Sequence, residues 1–166
     1  MPEVSSFAEA RRLQPGALDA FGELLATVWL DSALEPGLLE LARLRLATLS
    51  RCEADAARRV RLPGFDGIDE ERVARLPSWP VDPTLSERER AALRYAEEFA
   101  VDPEAVSGTC WAQVNEHFTD TEAVRLSMCL ATLVEFQRWC VATGVPADEE
   151  LPLARDVRLV PAGASD

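Results

Sequence analysis

The sequence predicts an all-α protein, a single-domain bundle of about six or seven helices, on three observations. Apolar residues return at helical spacing in successive blocks. Proline, glycine and Ser/Thr-x-x-Glu signatures punctuate those blocks where helices start and stop, and no block alternates with period two. A chain of 166 residues with 48% hydrophobic and 28% charged side chains suits one domain with its own core.

Residues 1–16 form a lead segment, interrupted by Glu3, Glu9, Arg11 and Arg12 before any apolar run. The domain spans 17–146. Its first helix covers 17–30, with Leu18, Phe21, Leu24, Leu25 and Val28 on one face. Pro36 and Gly37 open a second helix that runs to about Leu49 through Leu38, Leu41, Leu44 and Leu46. Ser50 followed by Glu53 reads as a capping box, so the chain breaks there and a new helix is expected over 51–61. Pro63, Gly64 and Gly67 turn the chain into a short helix that ends at Pro77, and a loop with Trp79, Pro80 and Pro83 follows. Ser86 with Glu89 caps a helix over 87–100. Asp102-Pro103 reads as the start of a helix to about Phe118. Thr119 with Glu122 opens a long helix to Ala142, closed by Gly144. The polar tail, 147–166, is expected to be extended or partly disordered.

Composition narrows the function classes. A net charge of -12 argues against nucleic acid and anionic membrane surfaces as partners, since phosphate binding needs surplus positive charge. No stretch approaches the roughly 18 apolar residues of a membrane span, and the N-terminus does not read as a secretory signal, so a cytoplasmic location is expected. All 17 basic residues are arginine, which rules out lysine Schiff-base chemistry. The four cysteines, Cys52, Cys110, Cys129 and Cys140, contain no Cys-x-x-Cys, and the sole histidine, His117, is too little for a Cys/His zinc site. No metal and no cofactor is therefore expected. Cys129 and Cys140, in an apolar helical stretch, read as core thiols.

Five stretches in order carry a family resemblance: ELARLRLATLSRCEADAARRV at 40–60, IDEERVARLPSW at 68–79, LSERERAALRYAEEFA at 85–100, HFTDTEAVRL at 117–126 and FQRWCVATGVP at 136–146. Together they resemble the alkylhydroperoxidase D-like / carboxymuconolactone decarboxylase family over about residues 17–146. The resemblance implies that family's helical fold and a homo-oligomer, a trimer or hexamer. The family's redox signature runs Glu-x11-Cys-x2-Cys-x3-His. Here Glu40 and Cys52 match its glutamate and first cysteine, while Asp55 stands at the second cysteine and Arg59 at the histidine. Turnover through the family's dithiol is therefore expected to fail, because a second thiol and a group titrating near neutrality are both missing from their places.

The candidate site carried over is Glu40, Cys52, Asp55 and Arg59, with a small molecule as substrate or ligand. Three functions fit it. One is a cofactor-independent acid–base enzyme of decarboxylase, lyase or isomerase type, with Glu40 as general base and an Asp55–Arg59 pair orienting an anion. A second is a single-cysteine peroxidase through Cys52. The third is a non-catalytic ligand-binding or assembly protein. Each residue also has a structural reading: Glu40 pairs with Arg43 along its helix, Asp55–Arg59 is a solvated helix pair, and His117 merely ends a helix. Trp79, in its proline loop, is the tryptophan expected near a ligand or a subunit contact.

Overall fold

A computed structural model describes residues 6–164. Eight α-helices carry the chain: α1 (Phe7–Leu13), α2 (Pro15–Leu30), α3 (Pro36–Leu49), α4 (Glu53–Ala56), α5 (Glu70–Arg75), α6 (Glu87–Val101), α7 (Gly108–His117) and α8 (Asp120–Thr143). A 3-10 turn over Leu76–Val81 follows α5, and three short strands complete the fold: β1 (Arg58–Arg61), β2 (Leu151–Pro152) and β3 (Arg158–Pro161). The result is a mostly helical single domain, with one small sheet that the sequence reading did not contain.

The local signals behave as read. Pro15 and Pro36 stand in the first turns of α2 and α3, where a missing N–H costs nothing. Both halves of the capping box form at Ser86/Glu89 and at Thr119/Glu122. At the second, the Thr119 amide and hydroxyl together with Arg88 hold the Glu122 carboxyl down at about 2. Gly144 closes α8 in the left-handed conformation, at φ 69°.

Four expectations need correction. The lead segment carries a helix of its own: Ser6 caps α1, Phe7 and Ala10 are buried, and the Phe7 amide donates to Glu149 (2.7 Å), tying α1 to the start of the tail. Asp102 does not start a helix. It ends α6 and accepts the Glu104 amide in a local turn, while Ser107 caps a shorter α7.

Ser50 marks a break, but as the C-cap of α3 and not as an N-cap. The Arg51 amide donates to Thr48 O (3.3 Å) and the Cys52 amide to Ala47 O (2.9 Å), a Schellman closure with Arg51 at φ 54° where glycine is usual. The helix expected over 51–61 is consequently only one turn, and the chain then runs extended as β1. Pro63 disfavours helical backbone at Leu62, and β3 supplies the partner strand.

The tail supplies that partner. β3 lies between β1 and β2, antiparallel to both, with Val60 opposite Leu159. The described part of the tail, 147–164, is thus strand at 151–152 and 158–161 with turns between, and Leu151, Val157 and Leu159 are built into the main core. Arg59-Val60-Arg61-Leu62 and Val157-Arg158-Leu159 do alternate with period two; at three or four residues each they are below the length at which that signal stands out.

The core itself is formed where α2, α3, α6 and α8 meet, around Leu25, Leu39, Leu46, Ala92, Leu126, Leu130 and Leu133. Among the described residues, no helix is long and apolar enough to cross a membrane.

Candidate functional site

Glu40 and Arg43 stand one turn apart on α3 and are both fully buried, at 0% exposure. Burying a charge is costly unless it is paired and its remaining hydrogen-bonding capacity is met. Here every capacity is met. Arg43 spends all five of its N–H donors: Nε and Nη2 reach the two oxygens of Glu40 (2.7 and 2.8 Å), Nη1 reaches Asp55 Oδ1 (2.6 Å) and Asp55 O (2.8 Å), and Nη2 also reaches Arg58 O (2.8 Å). Glu40 further accepts the Val60 amide at 3.1 Å, which pins β1 beneath α3. Gln137 of α8 donates to Asp55 Oδ2 (2.8 Å) and to Arg43 O (2.9 Å), while its own carbonyl accepts from Ser50 Oγ (3.1 Å). Burial alone would push the Arg43 guanidinium down, but Asp55 and Glu40 outweigh it and hold it firmly charged.

Arg58 is a second fully buried guanidinium. It donates to the carbonyls of Ala54, Pro146 and Glu149 (the last at 2.7 Å), clipping the end of the domain to the start of the tail. Burial lowers its pKa, partly offset by the nearby Cys140 and Asp55. Two carboxylates and two guanidiniums thus share one dry layer with no net charge.

Of the four residues expected in one site, the structure brings Glu40, Cys52 and Asp55 together and sends Arg59 elsewhere. Arg59 does not pair with Asp55. It is on a strand and not a helix, so the one-turn spacing that would have joined them is gone. It makes a two-pronged bridge to Glu70 of α5 (2.8 Å on each prong). The structural reading of Glu40 is the one the fold realises: it pairs with Arg43. Its oxygens are engaged, and none of the described cavities reaches it or Asp55.

Cys52 is different. It precedes α4 as that helix's N-cap, too short a helix for its dipole to matter, and it lines a cavity of about 260 Å³ together with Arg51, Glu53 and Gly144. Cys140 of α8 lines the same cavity. The juxtaposition follows from register. Asp55 and Cys52 are three residues apart, as are Gln137 and Cys140. The Asp55–Gln137 hydrogen bond therefore holds the segments of Cys52 and Cys140 side by side at this cavity.

The two thiols shift each other in opposite directions. The Cys140 S–H, donated to Cys52, lowers the Cys52 pKa, with help from the Asp55 amide and the Arg58 charge. The same hydrogen bond and burial push the Cys140 thiol up. By contrast, burial leaves Cys110 and Cys129 pushed up to about 11. Cys129 is the core thiol expected. Cys140 is equally buried but also lines the Cys52 cavity, a placement that sequence reasoning missed, as it missed those of Arg58 and Gln137. The available signal was a lone amide in the apolar stretch of α8 with a cysteine one turn further on the same face.

No family model matches the sequence, and no curated protein matches it. Solved structures do match. A protein of unknown function from Agrobacterium tumefaciens, described as a putative antioxidant defence protein AhpD, is 21% identical with a TM-score of 0.67, over 82% of this chain and 95% of that one. An uncharacterized peroxidase-related protein from a Silicibacter species is 18% identical with a TM-score of 0.67, over 83% of this chain and 73% of that one. At these identities the likeness is one of architecture, and it agrees with the resemblance carried by the sequence: this chain has the alkylhydroperoxidase D-like helical fold.

Proposed function

We propose that this chain is a thiol-redox protein in which Cys52 is the reactive thiol and Cys140, not a Cys-x-x-Cys neighbour, is its partner. The observation that carries this reading is the shared cavity: two thiols line it, one shifted toward the thiolate and the other holding its proton. The descriptions of the two structural neighbours as antioxidant and peroxidase-related point to a peroxide as oxidant. In that reaction the Cys52 thiolate attacks one peroxide oxygen and the O–O bond breaks. Sulfur is oxidised by two electrons to the sulfenic acid, and the other oxygen leaves as water or alcohol after taking a proton. The Cys140 thiol then attacks the Cys52 sulfur, the S–S bond forms, the S–O bond breaks, and the Cys140 proton leaves with the hydroxyl as water. Two electrons from an external dithiol reset the pair by exchange.

The acid–base reading draws no support from this geometry, because both oxygens of Glu40 are engaged and none of the described cavities reaches it. The decisive experiment is stepwise oxidation. With hydrogen peroxide the wild type is expected to lose two thiols and yield a Cys52–Cys140 disulfide on peptide mapping. Cys140→Ser should stop at a Cys52 sulfenic acid that a dimedone-type probe labels, and Cys52→Ser should give neither. Alkylation should follow the same order: Cys52, whose pKa is lowered, reacts at the lowest pH, and Cys110 and Cys129 react only as the pH nears about 11. Oxidation of Cys52 no faster than that of Cys110 or Cys129 would end the proposal.

The homo-oligomer implied by the resemblance is part of the same reading. It is supported by Leu24, Val124 and Met128, which stand 44%, 65% and 61% exposed beside an apolar groove between α2 and α8. Light scattering should give a multiple of the chain mass, and a strict monomer would remove this part.

A further inference from the structure

A second cavity, of about 350 Å³, lies between α6, α7 and the 3-10 turn and shares no lining residue with the thiol cavity. Two helix faces meet across it, each offering polar side chains one turn apart: Arg90 and Arg94 from α6, Gln113 and His117 from α7. Trp79 and Val81 of the turn supply an apolar wall.

The wall is held in place. Arg90 donates to the carbonyls of Trp79 (3.1 Å), Pro80 (3.2 Å) and Asp82 (2.5 Å), and the Trp79 indole donates to Glu97 (2.7 Å). Two groups in the cavity, by contrast, have nothing to bind. Among the described residues Arg94 has no hydrogen-bond or ion-pair partner, in a chain that carries a formal charge of -12 and pairs most of its arginines. The Gln113 Oε1 atom is buried with no donor reaching it. A buried acceptor left without a donor carries a desolvation cost that a ligand supplying one would remove.

We propose that this cavity binds a small organic anion: a carboxylate set on Arg94, a hydroxyl or N–H donated to Gln113 Oε1, and a flat or apolar body against Trp79 and Val81. A guanidinium without a counter-ion selects the carboxylate. The unsatisfied amide oxygen selects a ligand with a donor over one without. The volume, near the lower end of small-molecule sites, limits the ligand to about one ring. The glutamate at the rim, Glu87, faces Arg90 at 3.4 Å, so it does not neutralise Arg94.

The test uses the full chain, with 4-hydroxybenzoate as probe and the Trp79 indole N–H resonance, assigned through Trp79→Phe, as readout. Saturable movement of that resonance is expected. Arg94→Gln should weaken binding by roughly tenfold or more, the effect of losing a charge-assisted hydrogen bond. Benzoate, which lacks the donor, should bind more weakly than 4-hydroxybenzoate to the wild type and equally to Gln113→Leu. 4-Hydroxybenzamide, which lacks the charge, should bind weakly to every form. No saturable shift up to ~10 mM probe, undiminished binding by Arg94→Gln, or inorganic phosphate competing as well as the organic anion would each overturn the assignment. Thiol oxidation at Cys52 is read separately and bears on neither result.

Discussion

Arg43→Ala is expected to destabilise the protein by about 3–5 kcal/mol, the cost of leaving buried charges unpaired. Two carboxylates, Glu40 and Asp55, lose the cation that sits between them, and both are fully buried. A domain of this kind has only about 5–15 kcal/mol to lose, so the melting temperature should fall by roughly 6–20 °C. Arg43→Lys should not rescue it, because an ammonium has three donors and no fork, whereas five acceptors converge here. The triple change Arg43→Met, Glu40→Gln, Asp55→Asn should recover part of the loss, since neither carboxylate is then stranded and the one charge left, Arg58, keeps its three carbonyl acceptors. Thermal melts of the three variants decide the matter. An Arg43→Ala protein melting within a degree or two of wild type would mean that the network contributes little. The same experiment bears on the thiols, because Asp55 and Gln137 set the register that brings Cys52 to Cys140.

Deleting residues 147–166 should cost more. Leu151, Val157, Leu159 and Val160 are between 0% and 4% exposed, and burying side chains of this size is worth about 1.5–3 kcal/mol each. The ordering entropy of the removed segment is returned, which offsets part of that sum. Other losses remain: β1 is stripped of its partner strand, Val60 is uncovered, and Arg58 loses its bond to Glu149 O while still buried at its other end. We expect the truncated chain to lose its cooperative melt, and Leu159→Ala alone to cost about 2–5 kcal/mol as the calibrating point. A truncated chain with the wild-type melting temperature would show the tail to be an accessory.

These two outcomes mark where legibility ran out. Ser86, Thr119, Gly144 and the prolines at the starts of α2 and α3 announced the helices correctly, because a cap is a conversation between residues three or four apart. Ser50 misled for the same reason. Its spacing to Glu53 satisfied the capping pattern, yet the hydroxyl turned back to α3 and to Gln137. Glu40 with Arg43 was legible as a pair, being one turn apart. What the pair does was not, since that depends on Asp55, Val60 and Gln137 closing over it.

By itself, then, the amino-acid order determined the helical class, most helix boundaries, the resemblance to alkylhydroperoxidase D-like proteins and the absence of any Cys-x-x-Cys motif. Only the tertiary structure decided that α8 returns a second thiol to Cys52, that Glu40 and Asp55 are locked in a dry layer, and that the tail completes a sheet with β1. Local hydrogen bonds are encoded by neighbours and can be read along a line. Which sulfur faces which, and which charge is shut away from water, are set by packing between segments that meet only when the chain has folded.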